Sequence, residues 1–209
     1  LNHALIWQPE RTIGKKSITM KALHDACDNV CHQGAKFLYQ VDWYPTEDFY
    51  AKHTPRGGWR EVSLTPIPKS FGKTFCQQLR VLVDYMKTEI WPEGLPEAAE
   101  SAISEYDKQE QDLLKLEQKD WRAAAKQEAA LQLCNYLTTP VEQSVLTLTH
   151  QKINGERFLE NVWSRTPILS SDGRLVDSGR FDSPGADVSR SRPYGTGDDG
   201  GVCFSAEVK

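Results

Sequence analysis

No glycine or proline interrupts the chain between Glu97 and Thr139, and Ala, Glu, Gln, Lys and Leu dominate that run. Such residues lose little freedom on entering a helix, so any fold of this chain must accommodate one or two long helices over 96–137. From Asp107 to Asp112 no apolar residue occurs. Either a helix crosses solvent there, or the chain bends and packs back as a hairpin. An apolar stripe resumes at Leu114, Trp121, Ala125, Ala129, Leu133 and Tyr136, which should face a core. Thr139 and Pro140 should stop the helical run.

Other periods flank this segment. Phe75, Leu79, Leu82, Val83, Met86 and Ile90 recur by threes and fours, which predicts an amphipathic helix from Lys73 to Trp91, ended by Pro92 and Gly94. Ala4 to Trp7 reads as a short strand, and Ser17 as the N-cap of a helix running to about His32 and closed by Gly34. In KFLYQVDWY, Phe37, Tyr39, Val41 and Trp43 alternate with polar residues and predict a strand ending at Pro45. Trp59 to Thr65 predicts another. The period returns to two after Pro140, where Val145–Lys152, Asn154-Gly155 and Glu156–Trp163 match a hairpin with a tight turn. Half of the 14 glycines lie between Gly173 and Gly201, which predicts a segment with little to bury.

The expected architecture is therefore α+β. N-terminal strands and an amphipathic helix precede a long helical middle segment, followed by a C-terminal β-hairpin and a weakly ordered tail. Residues 1–166 should form a single domain and 167–209 a Gly/Ser/Asp-rich mobile tail. With 39% hydrophobic and 26% charged residues the composition suits a soluble globular chain that needs no cofactor to fold. No apolar run is long enough for a membrane span, and the first thirty residues lack the order of a secretory signal, so no membrane partner and a cytoplasmic location are expected. Five scattered cysteines suit free thiols in a reducing compartment.

Charge is segregated along the chain. Phe49 to Arg80 holds six cations against Glu61, whereas Asp84 to Asp120 holds eleven carboxylates against four lysines. The net charge of −4 conceals this contrast and excludes a polycation of histone type. Seven aromatic residues from Phe37 to Trp59 lie in or just before the basic segment. Cations beside exposed rings suit single-stranded nucleic acid, because phosphates need positive partners and every base offers a face for stacking. The leading expectation is accordingly a non-catalytic binding protein that contacts nucleic acid through Lys52, Arg56, Trp59, Arg60, Lys69 and Lys73. The competing use of the aromatics is simple burial on one side of a strand.

Two further readings compete. The acidic helices over 96–137 could dock a protein partner, which requires an exposed apolar strip including Leu114 and Trp121. At the C-terminus, Asp198, Asp199, Glu207 and Lys209 resemble the acidic-plus-ExK signature of a metal-dependent nuclease class. Elsewhere, His24, Cys27 and Cys31 have helical spacing suited to zinc but lack a local fourth ligand, so no metal site is expected. Gly72-Lys73-Thr74 ends a stretch reminiscent of a phosphate-binding loop whose first glycine is replaced by Ile67, and Lys73 is better placed in the first turn of a helix.

Overall fold

A computed structural model describes residues 3–12, 15–28, 36–182 and 185–208. It is an α+β fold with strands at both ends of the chain. In chain order the elements are β1 (His3–Gln8), α1 (Met20–Ala26), α2 (Asp48–Ala51), β2 (Gly58–Ser63), α3 (Phe75–Tyr85), α4 (Glu97–Lys119), α5 (Trp121–Ala129), α6 (Pro140–Asn154), β3 (Trp163–Leu169), β4 (Leu175–Asp182), β5 (Gly185–Ser191), β6 (Gly200–Gly201) and β7 (Ser205–Glu207). Strands β1, β2 and β7 form an antiparallel sheet in that order, with Trp7 opposite Trp59. A second sheet has the order β5-β4-β3-β6, antiparallel except for the parallel β3–β6 pair. Among the described residues, no helix is long and apolar enough to cross a membrane.

The expected amphipathic helix is present as α3, capped by Thr74, whose side chain accepts from the Gln77 amide while Gln77 reaches back to the Thr74 amide. Lys73 thus precedes the helix. Past Tyr85 the helix widens into a five-residue π turn, Met86–Ile90. Helix α4 continues straight through the polar stretch Asp107–Asp112, because Arg80 of α3 reaches across to Asp107 and Glu110 at 2.6 Å each. The break falls at Asp120, whose carboxylate accepts from the Ala123 amide and starts α5.

Three expectations are corrected. Residues 145–163 do not form a hairpin. Val145 to Asn154 belong to α6, which begins at a Thr139 cap reciprocated by Glu142 and ends at Gly155 with φ 73°. Asn154-Gly155 supplies the positive φ that a tight turn would need, but uses it to end a helix. The run KFLYQVDWY is a loop, not a strand. Gln40 takes φ 49°, and the run makes only isolated bridges among the described residues, Lys36 to Asp28 and Leu38 to Ala186. Helix α1 starts from Thr19, not Ser17, and its C-cap is Cys27; Cys31, His32 and Gly34 lie outside the described residues.

The stretch from 167 onward, expected as a mobile tail, contributes four strands and reaches all three apolar cores. Leu175, Val202 and Phe204 join α3 and α4 around Leu79, Leu82 and Tyr106. Val176, Phe181 and Val188 join Met20, Phe37, Tyr44 and Phe49. Cys203 packs with Val62, Leu146 and Phe158. Glycines permit this interior course: a Cβ on Gly179 would stand 2.2 Å from the Val162 carbonyl oxygen.

Candidate nucleic-acid interface

The six residues singled out by charge and aromaticity do not share one surface. Arg56 is committed inward: its Nε donates to Glu142 Oε1 and one terminal nitrogen to Glu142 Oε2, both at 2.6 Å, and the same nitrogen reaches the Leu137 carbonyl. Burial alone would raise the Glu142 pKa, but the hydrogen bonds and charge of Arg56 outweigh it and hold the carboxyl below its usual range. Arg60 is 5% exposed and donates from Nε to Ser205 Oγ at 2.7 Å. Lys52 pairs with Asp48 at 2.8 Å on the α2 surface. Lys69 is exposed beside a cleft against α3, and Lys73 is half-buried ahead of that helix. Trp59 is 51% exposed, but its neighbour is Trp7, at 5.7 Å between ring centroids.

A different set of cations does converge, built from three separated stretches. The Asp120 cap places Trp121 and Arg122 in the first turn of α5. Strand β5 carries Arg190 near its end, and Arg192 follows two residues later, the spacing that keeps side chains on one side of an extended chain. Between them lies the β3–β4 turn, Ser170 to Arg174, in which Gly173 adopts φ 85° beneath the Arg122 side chain.

Asp172 in that turn ties the set together. Its carboxylate meets Arg190 at 3.2 Å and Arg174 at 3.6 Å, while Arg122 Nε donates to its carbonyl oxygen at 3.3 Å. Burial acts to raise the Asp172 pKa, yet bonds from Ser170 Oγ and the Arg174 amide, with the arginine charges, leave it lowered. The guanidinium groups are spread over rings. Arg122 lies 4.3 Å and Arg192 5.4 Å from the Trp121 centroid, Arg192 also 5.7 Å from Tyr194, and Arg190 4.5 Å from Trp43. Trp43 is itself fixed by a 3.1 Å bond from Nε1 to the Val188 carbonyl.

Four arginines outnumber the two carboxylates at this turn, Asp172 and Glu47, the latter accepting from the Ser171 amide and hydroxyl. Ring contacts position the guanidinium groups of Arg122, Arg190 and Arg192, each of which also spends one nitrogen on Asp172 or Tyr194, and a flat cation beside an indole can take a base on its own face. Counting charge along contiguous segments misses the set because its members come from residues 122, 174 and 190–192. The sequence signals are the Trp121-Arg122 pair after a helix-capping Asp and the alternating arginines of Ser189-Arg190-Ser191-Arg192.

The remaining candidates are dispersed. Asp199 pairs with Arg180 at 3.0 Å beside β6, whereas Glu207 sits on β7 opposite Arg60 in the other sheet; Lys209 lies outside the described residues. Among the described residues no three His, Cys, Asp or Glu side chains are grouped to hold a metal ion. Leu114 packs partly buried against the first core, and Trp121 is half-buried beside Arg122 and Arg192. No family model, curated protein or solved structure matches this chain.

Proposed function

We propose that this protein binds single-stranded nucleic acid through Arg122, Arg174, Arg190 and Arg192 with Trp121, Trp43 and Tyr194. The observation that carries this reading is the placement of two guanidinium groups from distant segments, Arg122 and Arg192, against the one indole of Trp121. Phosphate oxygens meet the guanidinium edges in pairs, and bases stack on the exposed planes. The acidic helix α4, with seven carboxylates between Glu97 and Glu117, repels the polymer from its own side and favours approach to the arginine face.

The test is fluorescence anisotropy with a labelled mixed-sequence single-stranded oligonucleotide at low salt. Four phosphate contacts give a slope of log affinity against log salt of about −3, at roughly 0.7 per phosphate for single strands. The double variant R122A/R192A should weaken binding at least tenfold and reduce the slope to about half, since two of the four contacts go. Absence of binding at about 100 µM protein, far into the non-specific regime, would remove the proposal. Equal affinity for duplex DNA would leave only an electrostatic surface and remove the single-strand assignment.

A further inference from the structure

We infer that Tyr85 is a nucleophile for small amine-bearing acyl-type electrophiles, with His3 as its base and Glu61 as the group that orients His3. This site lies on the first sheet and shares no residue with the arginine face, so either reading can fail without the other.

Strand pairing builds the relay. His3 stands opposite Ser63, and Glu61 lies two residues along β2 on the same face, the diagonal position within reach of a long side chain. Glu61 Oε1 accepts from His3 Nδ1 at 2.8 Å. A carboxylate cannot donate, so Nδ1 carries the proton and Nε2 presents its lone pair to the Tyr85 hydroxyl, with which it is hydrogen-bonded. The imidazole is held in place by Phe204, nearly parallel at 6.1 Å, and by the edge of Tyr85 at 5.7 Å. Acid, imidazole and hydroxyl in this order are the arrangement by which a weak nucleophile loses its proton at the moment of attack.

Two features beside the relay point to a ligand. Tyr85 is the last residue of α3, at the junction with the π turn, a local widening that recurs at functional positions. It also lines a cleft of about 410 Å³ whose walls combine apolar Ile67, Pro68 and Val81 with the carboxylates of Asp84 and Glu89, which outnumber the single cation there, Lys69. An apolar body with a terminal ammonium group matches that lining. Burial, followed by the charges of Glu89 and Glu61, pushes the Tyr85 phenol up to about 12, so it holds its proton at neutral pH and depends on His3 for activation.

In the reaction the Tyr85 oxygen attacks the carbonyl carbon of an ester, the C–O bond to the leaving group breaks, and the phenol proton passes to His3 Nε2 and on to the departing alkoxide. The probe is 4-(2-aminoethyl)benzenesulfonyl fluoride, on which the same oxygen forms an S–O bond, the S–F bond breaks and fluoride leaves. Full-length protein treated at neutral pH should be modified first at Tyr85 among its seven tyrosines, as read by peptide mass spectrometry. His3→Gln should slow that modification by about a hundredfold, the usual contribution of a general base. Added imidazole should restore part of the rate in His3→Ala, which a purely structural histidine would not allow. Glu61→Gln, which keeps the side-chain volume, should lie between wild type and His3→Gln. The inference is overturned if wild-type Tyr85 reacts no faster than the other tyrosines, or if folded His3→Gln, verified by its thermal transition, reacts at the wild-type rate.

Discussion

Glu128 has no solvent exposure, and burial, then the neighbouring carboxylate of Glu117, push its carboxyl up to about 9. Unfolded, the same group titrates near 4.5, so between these values the folded protein binds the additional proton and stability falls as pH rises. Asp177, raised by burial to about 6, acts with the same sign over a lower interval. Glu142, held below its usual range by Arg56, has the opposite sign and loses its contribution only in acid. Glu128→Gln removes the alkaline slope while keeping the side-chain volume. The melting temperature of wild type should fall between pH 6 and 9, and that of the variant should fall less; equal slopes in calorimetry would show that Glu128 does not titrate there. None of this was legible in the sequence, where glutamates on an Ala/Lys-rich helix read as a solvated face. Burial of Glu117 and Glu128 follows from α4 and α5 packing together and from Arg165 nearby, which are facts of three dimensions.

The elements that could be read were those with one wet face. Helix α3 shows its stripe because Gln77 and Asp84 face water opposite Leu79, Leu82 and Val83. Helix α6 hides its nature because it is covered nearly all round: Glu142, Gln143, Ser144 and Thr147 are buried together with Val141, Val145 and Leu146, so no stripe survives and Val-Leu-Thr-Leu-Thr mimics strand alternation. The decisive local signals were its ends, a Thr139/Glu142 capping box and Gly155. Because Gly155 sits at φ 73° with open space around its missing Cβ, Gly155→Ala should cost about 1 kcal/mol through backbone strain alone. Urea unfolding would measure it. A neutral outcome would mean that the helix frays past Asn154 without cost. The loop Phe37–Tyr44 taught the reverse lesson: Phe37 is buried as strand alternation would have it, but Leu38 and Tyr44 from the opposite side are buried too while Tyr39 is exposed, because Gln40 in the left-handed region turns the chain between them.

At the scale of the whole molecule, the glycines that made 167–209 look unstructured are what let it thread between other elements. Removing residues 167–209 strips Leu175, Val176, Phe181, Val202 and Phe204 from the cores and should abolish cooperative unfolding, as judged by near-ultraviolet circular dichroism and a thermal scan. A truncated chain that melts sharply would instead identify 1–166 as an independent domain. The candidate interface depends on the same threading, since Arg174, Arg190 and Arg192 reach Trp121 and Asp172 only when β3, β4 and β5 are in place. Composition along the chain could signal cations and rings. Which of them meet is decided by contacts far apart in sequence.

The pairing of β2 with β7 joins Arg60 to Glu207 and Val62 to Ser205. During synthesis one margin of β2 must therefore wait, its amides and carbonyls unmet, until nearly one hundred and fifty further residues have left the ribosome tunnel. Until then that margin of β2 is open to pairing with any extended peptide that arrives first, and so long-range a closure slows folding.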